Sequence, residues 1–191
     1  KNYSDFKVIN KHFKEQLLKW SGRFKYCCFL DSNNYQSLTN KNYDILVGVS
    51  NTCSWIYNGS NSFSHLKKFS KNKWVFGHLS YDLKNEIEPG LSSNNFDRIN
   101  FTDINFFEPE VLIQIKDKNI RITGRNPEKV HSEILNESLI NKNFKHNIKI
   151  ENKLSKTSYI KTVNSLLKHL KKGDIYEINF CQEFYSKNTD L

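Results

Sequence analysis

Residues Glu110–Thr123 read EVLIQIKDKNIRIT. The apolar run Glu110–Ile115 and the shorter Ile120–Thr123 flank Asp117-Lys118-Asn119, a turn-forming triplet, and this arrangement predicts a β-hairpin. Immediately downstream, Asn126 is placed to cap a helix with Pro127 at its first position and Glu128 in its first turn. That helix would bury Val130, Ile134, Leu135 and Leu139. Upstream, Phe106-Phe107 leads through Pro109 into the hairpin, and DILVGV (Asp44–Val49) is short, apolar and β-branched, as a buried strand should be. Hairpin, helix and buried strand together predict an α+β fold, dominated by antiparallel sheet with flanking helices.

The remaining segments extend this pattern. Ile9, Phe13, Leu17 and Trp20 form one helical stripe that Gly22 stops, and Phe24–Leu30 reads as a strand. Ser54–Tyr57 is expected to pair with the Asp44–Val49 strand across a turn, and Ser62 to cap a helix carrying Phe63, Leu66 and Phe69. Trp74–Leu79 is predicted as a strand. Asn141–Lys156 is polar and Lys/Asn-rich, a candidate boundary, and the chain divides on this reading into 1–150 and 151–191. Beyond it Ile160, Val163, Leu167 and Leu170 form a helical stripe ended by Gly173. Ile175–Tyr185 alternates, with Tyr176, Ile178, Phe180 and Phe184 on one side, and is predicted as a half-solvated or site-lining strand.

Composition narrows the function. At 191 residues with 37% hydrophobic content, the chain can bury a core, which excludes wholesale disorder. No apolar run reaches the 18 or so residues that a spanning helix needs. The net charge of +9 suggests a nucleic-acid role, but the basic residues are 25 Lys against 4 Arg, scattered rather than banded. Lys and Asn supply 50 residues and Ala none, a bias that AT-rich codons explain more simply than a ligand does. Cys27, Cys28, Cys53 and Cys181 match no metal spacing, and a reduced, cytoplasmic setting is expected. The chain has no Met, even at position 1, and is read as part of a longer or processed product.

Residue chemistry taken alone stops at a soluble α+β domain. The seven glycines form no phosphate-binding loop, and the six histidines suggest neither a metal pair nor a triad. His78 reads as a structural histidine inside a strand, and the pairs Glu86/Glu88 and Glu108/Glu110 read as solvated loop edges.

Four stretches carry a resemblance. WVFGHLSYDLKNEIE (Trp74–Glu88) and GDIYEINFCQEF (Gly173–Phe184) resemble signature segments of the chorismate-utilising enzymes. Phe101-Thr102-Asp103 with FFEPEVLI (Phe106–Ile113) is similar to the family's F-x-D-x-x-FF-x-P, and FLDS (Phe29–Ser32) to its short L-x-S element. The likeness covers most of positions 24–186, in the family's order. Within the family, YDLKN and GDIYxxN look most like component I of aminodeoxychorismate synthase, and anthranilate synthase component I is the close alternative. Glu177 stands where Gln is common, and Cys181-Gln182-Glu183 replaces a segment usually ending in Arg, which bears on site chemistry rather than on fold.

The resemblance implies a subunit that uses chorismate, Mg2+ and ammonia from a glutamine amidotransferase partner to make 4-amino-4-deoxychorismate, for p-aminobenzoate and folate. It places the nucleophilic Lys of a PIKGT motif and the metal-binding glutamates beyond Leu191, since these 191 residues contain neither. No catalytic or metal residue is therefore expected here, and the fragment alone should be inactive; Asp174 and Tyr176 are expected to build a turn and its packing. One ligand site is implied, a tryptophan pocket with Ser32 at the L-x-S serine and Asn40, Lys41, Asn42 and Tyr43 along its wall. A non-catalytic module binding tryptophan or the amidotransferase is the alternative from another class, and neither nucleic acid nor membrane is an expected partner.

Overall fold

The computed structural model describes residues 2–187 apart from 9, 34, 36–41, 53, 58–59, 89, 93–96 and 140–147. Ile9 and Cys53 thus lie outside the described residues. The fold is mixed helix and antiparallel sheet, that is α+β, and its contacts divide it into two units, Lys1–Ile140 and Asn141–Leu191.

The first unit runs β1 (Tyr3–Lys7), α1 (Phe13–Ser21), β2 (Tyr26–Asp31), β3 (Ile45–Ser50), β4 (Ser54–Ile56), α2 (Ser62–Phe69) and β5 (Phe76–Leu79). A 3-10 turn at Tyr81–Leu83 leads into the short α3 (Lys84–Ile87), followed by β6 (Ile104–Phe107), β7 (Val111–Lys116), β8 (Asn119–Gly124) and α4 (Pro127–Leu135). Five strands form one sheet in the order β1-β8-β7-β3-β2, and three form another in the order β4-β6-β5, every pairing antiparallel.

The predicted hairpin is present as β7 and β8, with Ile113 opposite Ile122 and Ile115 opposite Ile120. These residues, with Val47, Val49 and Val111, point to one side of the larger sheet, where Phe13, Leu17 and Trp20 of α1 and Val130 and Ile134 of α4 cover them. Each such side chain, once buried, contributes on the order of 2 kcal/mol through apolar surface removed from water. Polar ties fix the two helices together: Trp20 Nε1 donates to Glu133 Oε2 at 3.1 Å and Gln16 Nε2 to the Leu135 carbonyl at 2.7 Å. The buried Glu137 pairs with Arg23.

On the opposite side the smaller sheet covers only part of the larger one. Phe76 and Phe107 pack on Leu112, joined by Tyr26, Cys28 and Leu46. Gly48 makes this approach possible, because a Cβ there would sit 2.5 Å from Cδ2 of the Phe76 ring. The β1 and β8 end of that face stays exposed.

Local expectations are corrected at three points. α4 ends at Leu135, so Leu139 lies beyond it, half-buried rather than on its buried face. The segment Ser54–Tyr57 does not pair with β3, whose two edges are taken by β2 and β7; its residues Ser54–Ile56 pair instead with β6, Trp55 opposite Phe106. Tyr3–Lys7 forms an edge strand that its polar sequence does not announce. Ser62 is the first residue of α2 rather than its cap, which Asn61 supplies by adopting a left-handed conformation. Asn126 stands at the cap of α4 as expected, but also through left-handed backbone and without a side-chain hydrogen bond.

In the second unit β9 (Glu151–Asn152) precedes α5 (Lys156–Lys172), and β10 (Phe184–Tyr185) pairs back on β9. Ser155 caps α5, accepting from the Ser158 amide at 3.1 Å. Gly173 ends it at φ 84°, with the Asp174 amide returning to the His169 carbonyl at 3.0 Å. The alternating segment from Ile175 is not the predicted strand: only Phe184 and Tyr185 join a ladder, and Tyr176 is 98% exposed. Alternation makes a strand only where a neighbouring backbone takes its hydrogen bonds, and the two residues of β9 reach no further.

Candidate functional site

The end of β2 and the residues entering β3 are held together by backbone bonds. The Ser32 amide donates to the Asp44 carbonyl at 2.9 Å, and the Asp44 amide to Ile115 at 2.7 Å. Asp44 Oδ2 in turn accepts from the Asp117 amide at 2.8 Å, tying the hairpin turn to the same point. Around this knot Leu30, Ser32, Asn42, Tyr43 and Leu46 line an open groove of about 590 Å³. Ser32, Asn42 and Tyr43, three of the five residues expected at a tryptophan pocket, thus share one groove; Asn40 and Lys41 lie outside the described residues.

A second concavity of about 630 Å³ adjoins the first and shares Asn42 and Tyr43 with it. Its floor is the uncovered part of the larger sheet. Gln114 Nε2 donates to Tyr43 Oη at 2.8 Å, and the Tyr43 ring meets Trp74 edge-on with centroids 6.2 Å apart. Arg121 forks onto Asp5, Nε to Oδ1 at 2.8 Å and Nη2 to Oδ2 at 3.0 Å, and lies over the Tyr3 ring. The Arg121 hydrogen bond holds the Asp5 carboxyl below its ordinary value, and Asp5 raises the guanidinium reciprocally. Gln114, Arg121, Asp5 and Trp74 were not singled out from the sequence; the signal was Gln114, the one polar residue inside the apolar run VLIQI.

The other chemistry-bearing residues serve structure. His78 Nε2 lies 2.9 Å from the Thr102 carbonyl and the ring packs on Phe101. Glu86 accepts from the Ser62 amide at 2.7 Å, Glu110 from the Asn51 amide at 3.2 Å, and Glu108 pairs with Lys73. Among the described residues no three His, Cys, Asp or Glu side chains converge as a metal would need. These residues therefore do not fit the Mg2+ that the resemblance implies. Cys28 is half-buried and burial pushes its thiol up, whereas Cys27 is exposed on the edge strand β2. Asp174 sits in the turn after α5, 2.8 Å from His169 Nδ1.

The sequence profile described as chorismate binding enzyme matches residues 25–190, from the start of β2 past the end of β10. The chain belongs to the chorismate-binding enzyme family. Both signature-like segments, Trp74–Glu88 and Gly173–Phe184, lie inside the matched span, and β1 and α1 precede it. The family's enzymes act on chorismate. No curated protein matches the chain. Among the described residues no helix is long and apolar enough to cross a membrane.

Proposed function

We propose that the chain is the amino-terminal portion of an aminodeoxychorismate synthase component I, with the anthranilate synthase component I-like fold. The whole subunit aminates chorismate to 4-amino-4-deoxychorismate, in the cytoplasm, for p-aminobenzoate and folate. Mg2+ and ammonia from a glutamine amidotransferase partner are its further requirements, met by residues other than those described. The observation that carries this reading is the pair YDLKN (Tyr81–Asn85) and GDIYEIN (Gly173–Asn179), in family order inside a chorismate-binding match. The test is to express the complete coding sequence and supply chorismate, Mg2+ and ammonium, identifying the product by mass and retention. Aminodeoxychorismate is the expected product. Anthranilate would keep the fold and move the reaction to the tryptophan pathway, and unconsumed chorismate would overturn the catalytic reading.

A second reading concerns the groove. We propose that it holds tryptophan, with the indole against Leu30 and Leu46 and the Tyr43 ring as a wall, because Ser32, Asn42 and Tyr43 share that groove. Calorimetric titration of the protein with tryptophan tests it: measurable heat is expected, and its absence would overturn the ligand reading without touching the fold.

A further inference from the structure

The two edges of the larger sheet are unlike. β1 reads YSDFK and carries Asp5 and Lys7, charges that hinder another strand from docking beside it. β2 reads YCCFLD, and from Tyr26 to Leu30 it holds no charge, Pro or Gly. Among the described residues its ladder partner is β3 alone, which leaves its other side open. The edges of the smaller sheet, β4 and β5, are guarded by their brevity, at three and four residues. β2, at six residues, has no such guard.

Its backbone is phased for pairing. The Ser32 amide donates to the Asp44 carbonyl, and the Val49 carbonyl accepts from Glu110 on the β7 side. Even-numbered residues of β2 therefore bond to β3, and the odd-numbered Cys27 and Phe29 turn their N–H and C=O groups outward. Side chains alternate with the same period. Phe29 joins the core under α1 and α4, Tyr26 and Cys28 join the cluster between the sheets, and Leu30 is 52% exposed.

A second copy of the same strand is complementary to this edge. Laid antiparallel about a two-fold axis at Cys28, Cys27 faces Phe29 of the second copy and exchanges both backbone bonds with it. Tyr26 then stands beside the second copy's Leu30, and Lys25 comes opposite its Asp31. Symmetry repeats each meeting, so an opposite-charge pair closes both ends. The neighbouring registers that keep the backbone phase set Lys25 against Phe29 or Asn33 instead, so charge selects the register centred on Cys28. Asp31 also pairs with Lys14 of its own chain, and a carboxylate, with about four acceptor sites, accommodates both cations.

We propose that β2 pairs edge to edge with β2 of a second copy of this chain, antiparallel and centred on Cys28, joining the two larger sheets into one across a two-fold axis. The contact is narrow, so the dimer dissociates on dilution.

The test is sedimentation of the full chain over a concentration series, together with cysteine cross-linking. The weight-average mass is expected to rise from that of the monomer towards twice that value. Across the axis the two Cys28 Cα atoms would lie about 4.5 Å apart, within disulfide reach, and the two Cys27 Cα atoms about 9 Å apart, beyond it. In a Cys53→Ser, Cys181→Ser background, diamide takes up the two electrons and two protons of a thiol pair as it becomes a hydrazine. It should give a covalent dimer that Cys27→Ser retains and Cys28→Ser abolishes. Lys25→Asp and Asp31→Lys each set like charges opposite one another and should each weaken association about tenfold. An equimolar mixture of these two variants should recover it, because the mixed dimer has an opposite-charge pair at both ends. Melting temperatures near that of the wild type verify that the variants fold. A chain monomeric at every concentration, as an edge made for another polypeptide would leave it, would overturn the pairing. So would cross-linking through Cys27 instead of Cys28, or a mixture no more associated than its components.

Discussion

β7 shows two different surfaces on its two sides. Val111, Ile113 and Ile115 point at α1 and α4, into a core closed by Trp20 and Phe13, whereas Leu112, Gln114 and Lys116 point at the smaller sheet and then at open solvent. The first side is continuous, apolar and without exposed positions. The second is graded, dry at Leu112 under Phe76 and Phe107, half-buried at Gln114 and exposed at Lys116. Burying both sides would have given the unit more stability. Leaving half of one side uncovered gives it a surface on which polar groups from β1, β8, β7 and the approach to β3 meet. In this chain stability comes from the helical side, and the candidate binding surface lies on the side left incompletely packed.

The contrast is tested most severely by two substitutions on the same strand. Ile113→Ala opens a cavity in the fully buried side and should cost about 3–4 kcal/mol, read as a large drop in denaturation midpoint. Gln114→Leu, one residue away, should leave that midpoint nearly unchanged while weakening ligand binding in the groove, because Tyr43 loses its hydrogen bond. Equal losses of stability from both would break the comparison.

Next in size is the contact between the two sheets. Gly48→Ala places a methyl group against the Phe76 ring and should destabilise by about 1–3 kcal/mol through overpacking. Restoration by the double variant with Phe76→Leu, measured in a double-mutant cycle, would show that the ring is the obstacle.

A smaller effect belongs to the helical side and depends on pH. His131 of α4 stacks on Phe6 at 4.0 Å, and burial lowers its pKa below the usual 6.5. A group whose folded pKa is depressed binds more protons when unfolded, so stability is complete above about pH 6.5 and declines as pH falls through the window down to the folded value. His131→Phe should flatten that decline in a series of thermal melts between neutral and mildly acidic pH; an unchanged slope would assign it to other groups.

The smallest expected effect on stability is at the ion pair. Asp5→Asn should leave the melting temperature close to that of the wild type at neutral pH, since both partners are exposed. Because the Asp5 pKa is lowered, the wild-type pair persists at and somewhat below the ordinary carboxylate value, and its contribution disappears only as pH falls through the depressed one. A marked loss of stability in Asp5→Asn at neutral pH would make the pair a structural element rather than part of a binding surface.

Much of this architecture was legible in the sequence where the determining forces act between near neighbours. The turn Asp117-Lys118-Asn119, the Asn126-Pro127 start of α4 and the Gly173 stop of α5 each depend on local backbone preferences, and each stands where its residues predict. Ser32 and the Asn42-Tyr43 pair, expected from the resemblance, line one groove, and Asn40 and Lys41 lie outside the described residues. Residues that depend on distant partners were not found. Tyr3–Lys7 is a strand because β8 offers it an edge, and Ser54–Ile56 pairs with β6 because β2 and β7 already occupy both edges of β3.

By itself, then, the sequence determined the class of fold, the hairpin at its centre, the start of α4, the end of α5 and membership in the chorismate-binding family, since periodicity, turn chemistry and signature segments are properties of contiguous residues. Tertiary structure alone decided which strands became neighbours, which side of the larger sheet stayed open, and that Asp5 would meet Arg121 across 116 positions of chain. Such meetings follow from the burial of apolar faces belonging to segments far apart, and local sequence carries no record of which segment will supply the partner.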